Sequence, residues 1–283
     1  VIFAFGGSGL VVLPWSDGGV QHGLTAVHLR RRWQARCALP FAPRRAWVEA
    51  ASGTDRVWLL GETQLGLAVG APLPQPYRGR PERFEPLQTN PDPLRLAWTL
   101  ALPPHGGLLG LCTDEDHLFV LGETPDSTAD APRMQIFMRA LAAAPGEGFD
   151  IRRLPDGLPL ATDLAAAGEG RLLLLPPIDE GAEPGTRRDC PLISLREDAP
   201  TAELVPERWP RRPAAALPAA DRFVRHRDGR PRALSADGPV RLYRLAQARF
   251  APNGTVTLGT PLDSAMPDTL WDRIFIDACI PPG

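Results

Sequence analysis

The chain has 283 residues, 43% of them hydrophobic, which is room for one large all-β domain or two ordinary ones and too apolar for disorder. Its 31 basic and 33 acidic residues leave a net charge of −2, so no overall field favours nucleic acid or an anionic membrane. No apolar run reaches the roughly 18 residues that a transmembrane helix needs, so no membrane segment is expected.

The basic residues are all Arg, with no Lys. They are scattered rather than clustered, which reads as codon bias in a GC-rich genome and not as a phosphate-binding surface. Cys37, Cys112, Cys190 and Cys279 stand far apart with no CxxC pair, against zinc and against a disulfide framework. That usage fits a reducing compartment, and no basic-then-apolar signal peptide opens the chain. The 33 Pro and 27 Gly fall between apolar runs and act as turn punctuation. A start at Val1 and an end at Pro281-Pro282-Gly283 predict a segment of a longer chain.

The first element in chain order is GSGLVVLP, residues 7–14, a faint copy of a sentence that the chain later states twice. The two clear statements are TDRVWLLGET at 54–63 and EDHLFVLGET at 115–124. Asp55, Leu60, Gly61, Glu62 and Thr63 recur as Asp116, Leu121, Gly122, Glu123 and Thr124. Two more faint copies follow, GEGRLLLLPP at 168–177 and DRFVRH at 221–226. Leu10, Val57, Leu118, Leu172 and Phe223 are equivalent, at spacings of 47, 61, 54 and 51 residues. A period near 40–50 residues is that of four-stranded propeller blades.

Each copy reads as the second strand of a blade. Val57 to Leu60 and Leu172 to Leu175 are apolar at successive positions, as in a strand covered on both faces. Small residues come before it, at 50–53, 165–168 and 214–216, and predict the crowded innermost strand; short alanine helices are the alternative. Third strands are expected at 26–33, 65–73, 134–141, 192–196 and 240–245. More polar, Pro-spotted fourth strands are expected at 34–41, 94–102, 149–154, 202–209 and 254–258, where an exposed edge tolerates Pro and Arg. The expected fold is therefore an all-β propeller of five blades over residues 1–258, or six if sequence outside this stretch supplies another. Insertions at 74–93, 125–133 and 176–191 are loops, the last two between second and third strands.

Candidate chemistry is thin. Ser8 in Gly6-Gly7-Ser8-Gly9-Leu10 lacks the Gly two residues later that a nucleophile elbow requires, so a turn is the reading. Asp114-Glu115-Asp116 with His117 offers too few converging oxygens for a hard cation and reads as a solvated turn. Calcium-dependent lactonase propellers use Asn beside Asp and Glu around the axis, whereas Asn90 and Asn253 fall in outer loops. His22, His28, His105, His117 and His226 show no metal spacing. Arg30-Arg31-Arg32 before Trp33 reads as a strand end with arginine stems over apolar surface. Glu62 and Glu123, tempting as paired acids, hold equivalent positions in successive blades; Pro177 and His226 occupy that position later. The expectation is a non-enzyme with no catalytic, cofactor-binding or metal-binding residues and no cofactor.

After the last blade the text changes. Residues 270–279 alternate and predict the first strand of a second, sandwich-like β domain, with 259–283 as linker and first strand. Leu262-Asp263-Ser264, Trp271-Asp272-Arg273 and Ile280-Pro281-Pro282-Gly283 resemble a family of bacterial phage-tail-like proteins. That family shows Leu-Asp-Ser, then Trp-His-Arg, then a Leu-Pro-x-Gly-Thr turn; here Asp272 stands where the family has His. The resemblance implies a structural component of a contractile-tail or extracellular injection-system particle, cytoplasmic and assembled into a particle open to release. Its implied partners are other tail, baseplate or fibre subunits. The alternatives are a lactonase-like propeller hydrolase with an axial metal, and a glycan-binding propeller using Trp15, Trp33, Trp47 and Tyr77.

Overall fold

The computed structural model describes residues 4–5, 10–17, 21–28, 33–50, 55–70, 88–89, 94–128, 133–156, 158, 160–168, 170–177, 188–196, 199–205, 210–212, 222–225, 231–235, 238–240 and 243–244. Every regular element among them is a β-strand. The expected strands at 254–258 and 270–279, the domain boundary at 258 and the small residues at 214–216 lie outside the described residues.

Four antiparallel meanders follow one another along the chain. The first contains β1 (Ala4–Phe5), β2 (Leu10–Asp17), β3 (Gln21–His28) and β4 (Trp33–Leu39). The second contains β5 (Arg45–Ala50), β6 (Asp55–Leu60) and β7 (Gln64–Val69), then β9 (Arg95–Ala101). Between β7 and β9, β8 (Gln88–Thr89) leaves its own sheet and pairs in parallel with Trp33 and Gln34 of β4. Part of the 74–93 insertion is thus a strap across the outer edge of the first sheet, not wholly irregular. The third sheet is β10 (Gly107–Thr113), β11 (His117–Glu123), β12 (Met134–Ala140) and β13 (Asp150–Arg153). The fourth is β14 (Asp163–Gly168), β15 (Arg171–Leu175), β17 (Leu192–Ser194) and β18 (Glu203–Leu204).

Two smaller sheets complete the described fold. β16 (Arg188–Asp189), β19 (Pro210–Arg212) and β23 (Tyr243–Arg244) form one, so the 176–191 insertion also contributes a strand. β20 (Arg222–Arg225), β21 (Pro231–Ser235) and β22 (Gly238–Val240) form the other. The copies in β2, β6, β11 and β15 are second strands, as their unbroken apolar runs predict. The DRFVRH copy is not: β20 is an edge strand and lies against β14 and β1. It shares the Asp-Arg pair of Asp55-Arg56, but only Phe223 and Val224 are apolar, too little for a strand covered on both faces. The third strand beside β2 also begins earlier than expected, at Gln21.

The unbroken apolar runs have a simple cause. In β6, Val57 and Leu59 enter the core shared with the first sheet, while Trp58 and Leu60 enter the core shared with the third. In β15, Leu172 and Leu174 face the third-sheet core, and Leu173 and Leu175 face the core containing Phe223 of β20. Alternate side chains of a strand point to opposite faces, so two cores demand apolar residues at every position. Burying each such Leu is worth about 1.5–3 kcal/mol.

The alanines at 165–167 are strand, not helix. Gly168 and Gly170 then turn the chain at φ +86° and +68°, where a side chain would be strained. The first strands are neighbours in sequence order, β1 against β5, β5 against β10, β10 against β14 and β14 against β20, and β20 also touches β1.

Candidate functional site

In the second, third and fourth meanders the first strand starts beside the end of the second. Arg45 pairs with Leu60, Gly107 with Glu123, and Asp163 with Leu175. The amides of Arg44, Gly106 and Thr162 donate to the carbonyls of Leu60, Glu123 and Leu175 at 2.7, 3.1 and 2.7 Å. The connections from second to third strand leave at these same ends. The chain enters the 125–133 and 176–191 insertions from these ends of β11 and β15.

These strand starts carry several polar side chains. Glu62 is exposed and pairs with Arg44 at 3.1 Å. His105, just before β10, meets the ring of Phe137 edge-on at 6.3 Å. Burial lowers the His105 pKa, and the Glu62 backbone and charge partly oppose that. The Glu123 carboxylate lies next to Gly107, while its carbonyl accepts from Gly106 and from Gln135 Nε2 at 3.2 Å. Glu62 and Glu123 hold equivalent places on different sheets, and no contact joins them among those described.

Asp163, which sequence reasoning passed over, is the one buried carboxylate among the described residues, with 5% of its surface exposed. The Phe223 amide of β20 donates to its Oδ2 at 2.6 Å. Its Oδ1 occupies the space a side chain would need at Gly110 of β10, with Leu164 Cδ2 beside it. The pairing of β10 with β11 slips between Leu108 and Gly110, a bulge that re-aims β10 where Asp163 meets it. Burial raises the Asp163 pKa to about 7; the Phe223 and Leu164 amides and the Arg45 and Arg222 charges pull it downward. One carboxyl thus joins three first strands and is watched by guanidinium groups from β5 and β20. The available signal was a lone acid at the head of a strand, Asp163-Leu164-Ala165, expected to be covered on both faces.

The other seam of the third sheet is centred on an aromatic side chain. Trp47 Nε1 of β5 donates to Thr113 Oγ1 of β10 at 2.9 Å, buried. Further out, Trp58 meets Trp98 edge-on at 5.6 Å, and the Arg139 guanidinium of β12 lies 4.9 Å from the Trp98 ring centroid. Arg139 also donates to the carbonyls of Ala143, Ala144 and Glu147, holding the loop between β12 and β13. Its burial lowers its pKa.

The remaining sequence candidates do not gather. The Asp114 carboxylate accepts from the amides of Asp116 and His117 at 2.9 and 2.7 Å, capping the turn between β10 and β11. Among the described residues no group of three or more His, Cys, Asp or Glu could hold a metal ion. No helix among them is long and apolar enough to cross a membrane. Trp47 is consumed by the seam just described, and Trp15 packs across Gly23. Ser8, Arg30-Arg31-Arg32, Asn90, His226 and Asn253, the side chains of Trp33 and Tyr77, and the whole run from Leu262 to Gly283 lie outside the described residues. No protein-family model, no curated protein and no solved structure matches this chain.

Proposed function

We propose that this chain is a five-bladed β-propeller acting as a non-catalytic scaffold for protein–protein contacts, in a contractile-tail-like particle. The four meanders and the β20 sheet are its blades, and the β20–β1 contact is its closure. The observation that carries the scaffold reading is how the repeated sentence is used. Val57, Trp58, Leu59 and Leu60, and Leu118, Phe119, Val120 and Leu121, are spent on packing neighbouring sheets together. The particle assignment rests on the resemblance of Leu262-Asp263-Ser264, Trp271-Asp272-Arg273 and Ile280 to Gly283 to tail-like proteins. On this reading the partners are baseplate, spike or fibre subunits, and the insertions at 125–133 and 176–191 are the docking loops.

The test is mass spectrometry of contractile particles purified from the native host. The chain should be present at a fixed ratio to sheath and tube subunits. Its consistent absence from particles, with its gene far from sheath and tube genes, would sink the reading.

A further inference from the structure

Arginines that look scattered along the chain are gathered by the small sheet of β16, β19 and β23. Residues 187–249 hold 14 of the 31 Arg and 8 of the 33 acidic residues, whereas residues 114–183 hold 14 acidic residues and 5 Arg. Register does the gathering. Arg188 pairs with Arg212, and Pro210, two positions before Arg212, pairs with Arg244. Paired positions on neighbouring strands share a face, as do positions two apart on one strand. Positions 188, 212 and 244 therefore lie on one face, with Pro210 between them. The one acid of this sheet, Asp189, pairs with Arg211 and belongs to the opposite face. Like charges directly across a ladder are destabilising. Three arginine positions from three distant segments thus make a face that gains from an anionic cover.

The chain itself carries a cover of matching charge. In the turn between β10 and β11, Glu115 and Asp116 are exposed and make no ion pair among the described residues. Glu147, in the loop between β12 and β13, is exposed too, and the Leu141 amide donates to the Asp116 carbonyl at 2.7 Å, holding that loop to the turn. The acidic turn closes where β10 finishes, whereas the arginine sheet is entered through the connection that leaves β15 beside the start of β14. Guanidinium groups meet carboxylates through two parallel N–H···O bonds, and complementary charge steers two surfaces together and fixes their register. We propose that the arginine face of β16, β19 and β23 docks a second copy of this chain, which presents Glu115, Asp116 and Glu147 to it. The contact is heterologous, the face of one copy against the turn of the next. It depends on charge and register alone and stands apart from the propeller and particle readings.

Analytical ultracentrifugation of the full chain at rising protein concentration tests it. The wild type should associate in dilute salt, and the association should weaken at least about tenfold between ~0.05 and ~0.5 M NaCl as screening shortens the reach of the charges. Arg188→Glu with Arg212→Glu, and separately Glu115→Arg with Asp116→Arg, should each leave the chain monomeric. Mixed in equal amounts, the two variants should associate again, because their reversed surfaces complement each other. A wild type that is monomeric at every concentration, or an association that salt leaves untouched, overturns the proposal. So does a mixture that stays monomeric although both variants keep the wild-type unfolding midpoint. Arg188→Gln with Arg212→Gln serves if a reversed variant does not fold, and association of wild-type strength in it overturns the proposal too.

Discussion

The third sheet is held on its two sides by different chemistry. Against the second sheet it uses Trp47, whose indole N–H meets Thr113, and the Trp58–Trp98–Arg139 stack. Against the fourth sheet and β20 it uses Gly110, backed by a bulge, to receive Asp163. The first seam has a large aromatic and a neutral hydrogen bond at its centre. The second has a small residue, a close approach and a carboxyl whose charge state changes near pH 7. Copies of one strand sequence therefore build sheets that share a plan, while the first strands decide how each pair of sheets adheres.

Substitutions should separate the two seams. The largest effect is expected from Trp47→Ala, which removes a buried indole and orphans Thr113 Oγ1; denaturant unfolding should show a loss of about 3–5 kcal/mol. Arg139→Leu keeps much of the volume but strands three loop carbonyls, and should cost about 2–4 kcal/mol in the same measurement. Gly110→Ala pushes a methyl group against Asp163 and Leu164, where Asp163 Cα is already within 2.9 Å of the added carbon. Crowding of this kind costs about 1–3 kcal/mol, and Asp163→Ala should suppress part of that cost if the carboxyl is the obstacle. Glu62→Ala should matter least, within about 0.5 kcal/mol, because the Arg44–Glu62 pair is 60% and 71% exposed. A larger loss there would mean that the conserved-looking end of the repeated sentence does more than turn the chain.

The two clear copies of the sentence made the β-sheet plan legible. Runs such as Val57-Trp58-Leu59-Leu60 announce two cores, and the strand serves one with Val57 and Leu59 and the other with Trp58 and Leu60. What stayed hidden depends on contacts between distant segments. Gln88-Thr89 carries no strand signal of its own, and its parallel pairing is set by the exposed edge of β4. β20 resembles a second strand in its Asp-Arg opening, yet its place follows from packing against β14 and β1. Asp163 could not be recognised as buried without Gly110, more than 50 residues earlier, and the bulge that admits it. Arg139 likewise looks like one more scattered arginine until Trp98 and the Ala143 to Glu147 carbonyls surround it.

The contrast between the seams has a definite sign. The folded-state pKa of Asp163 is raised from 3.8 to about 7, so the folded chain binds this proton more tightly than the unfolded chain does. The stability this gives is full below the unfolded value and is lost as pH rises through the folded one, a loss on the order of 2–3 kcal/mol between pH 5 and 8. The decisive measurement is the unfolding free energy of wild type and Asp163→Asn at pH 5 and pH 8. The wild type should lose that amount relative to the variant on going from pH 5 to 8. Parallel behaviour of the two proteins would contradict the account, because the carboxyl would then be ionising in the folded chain as it does in water.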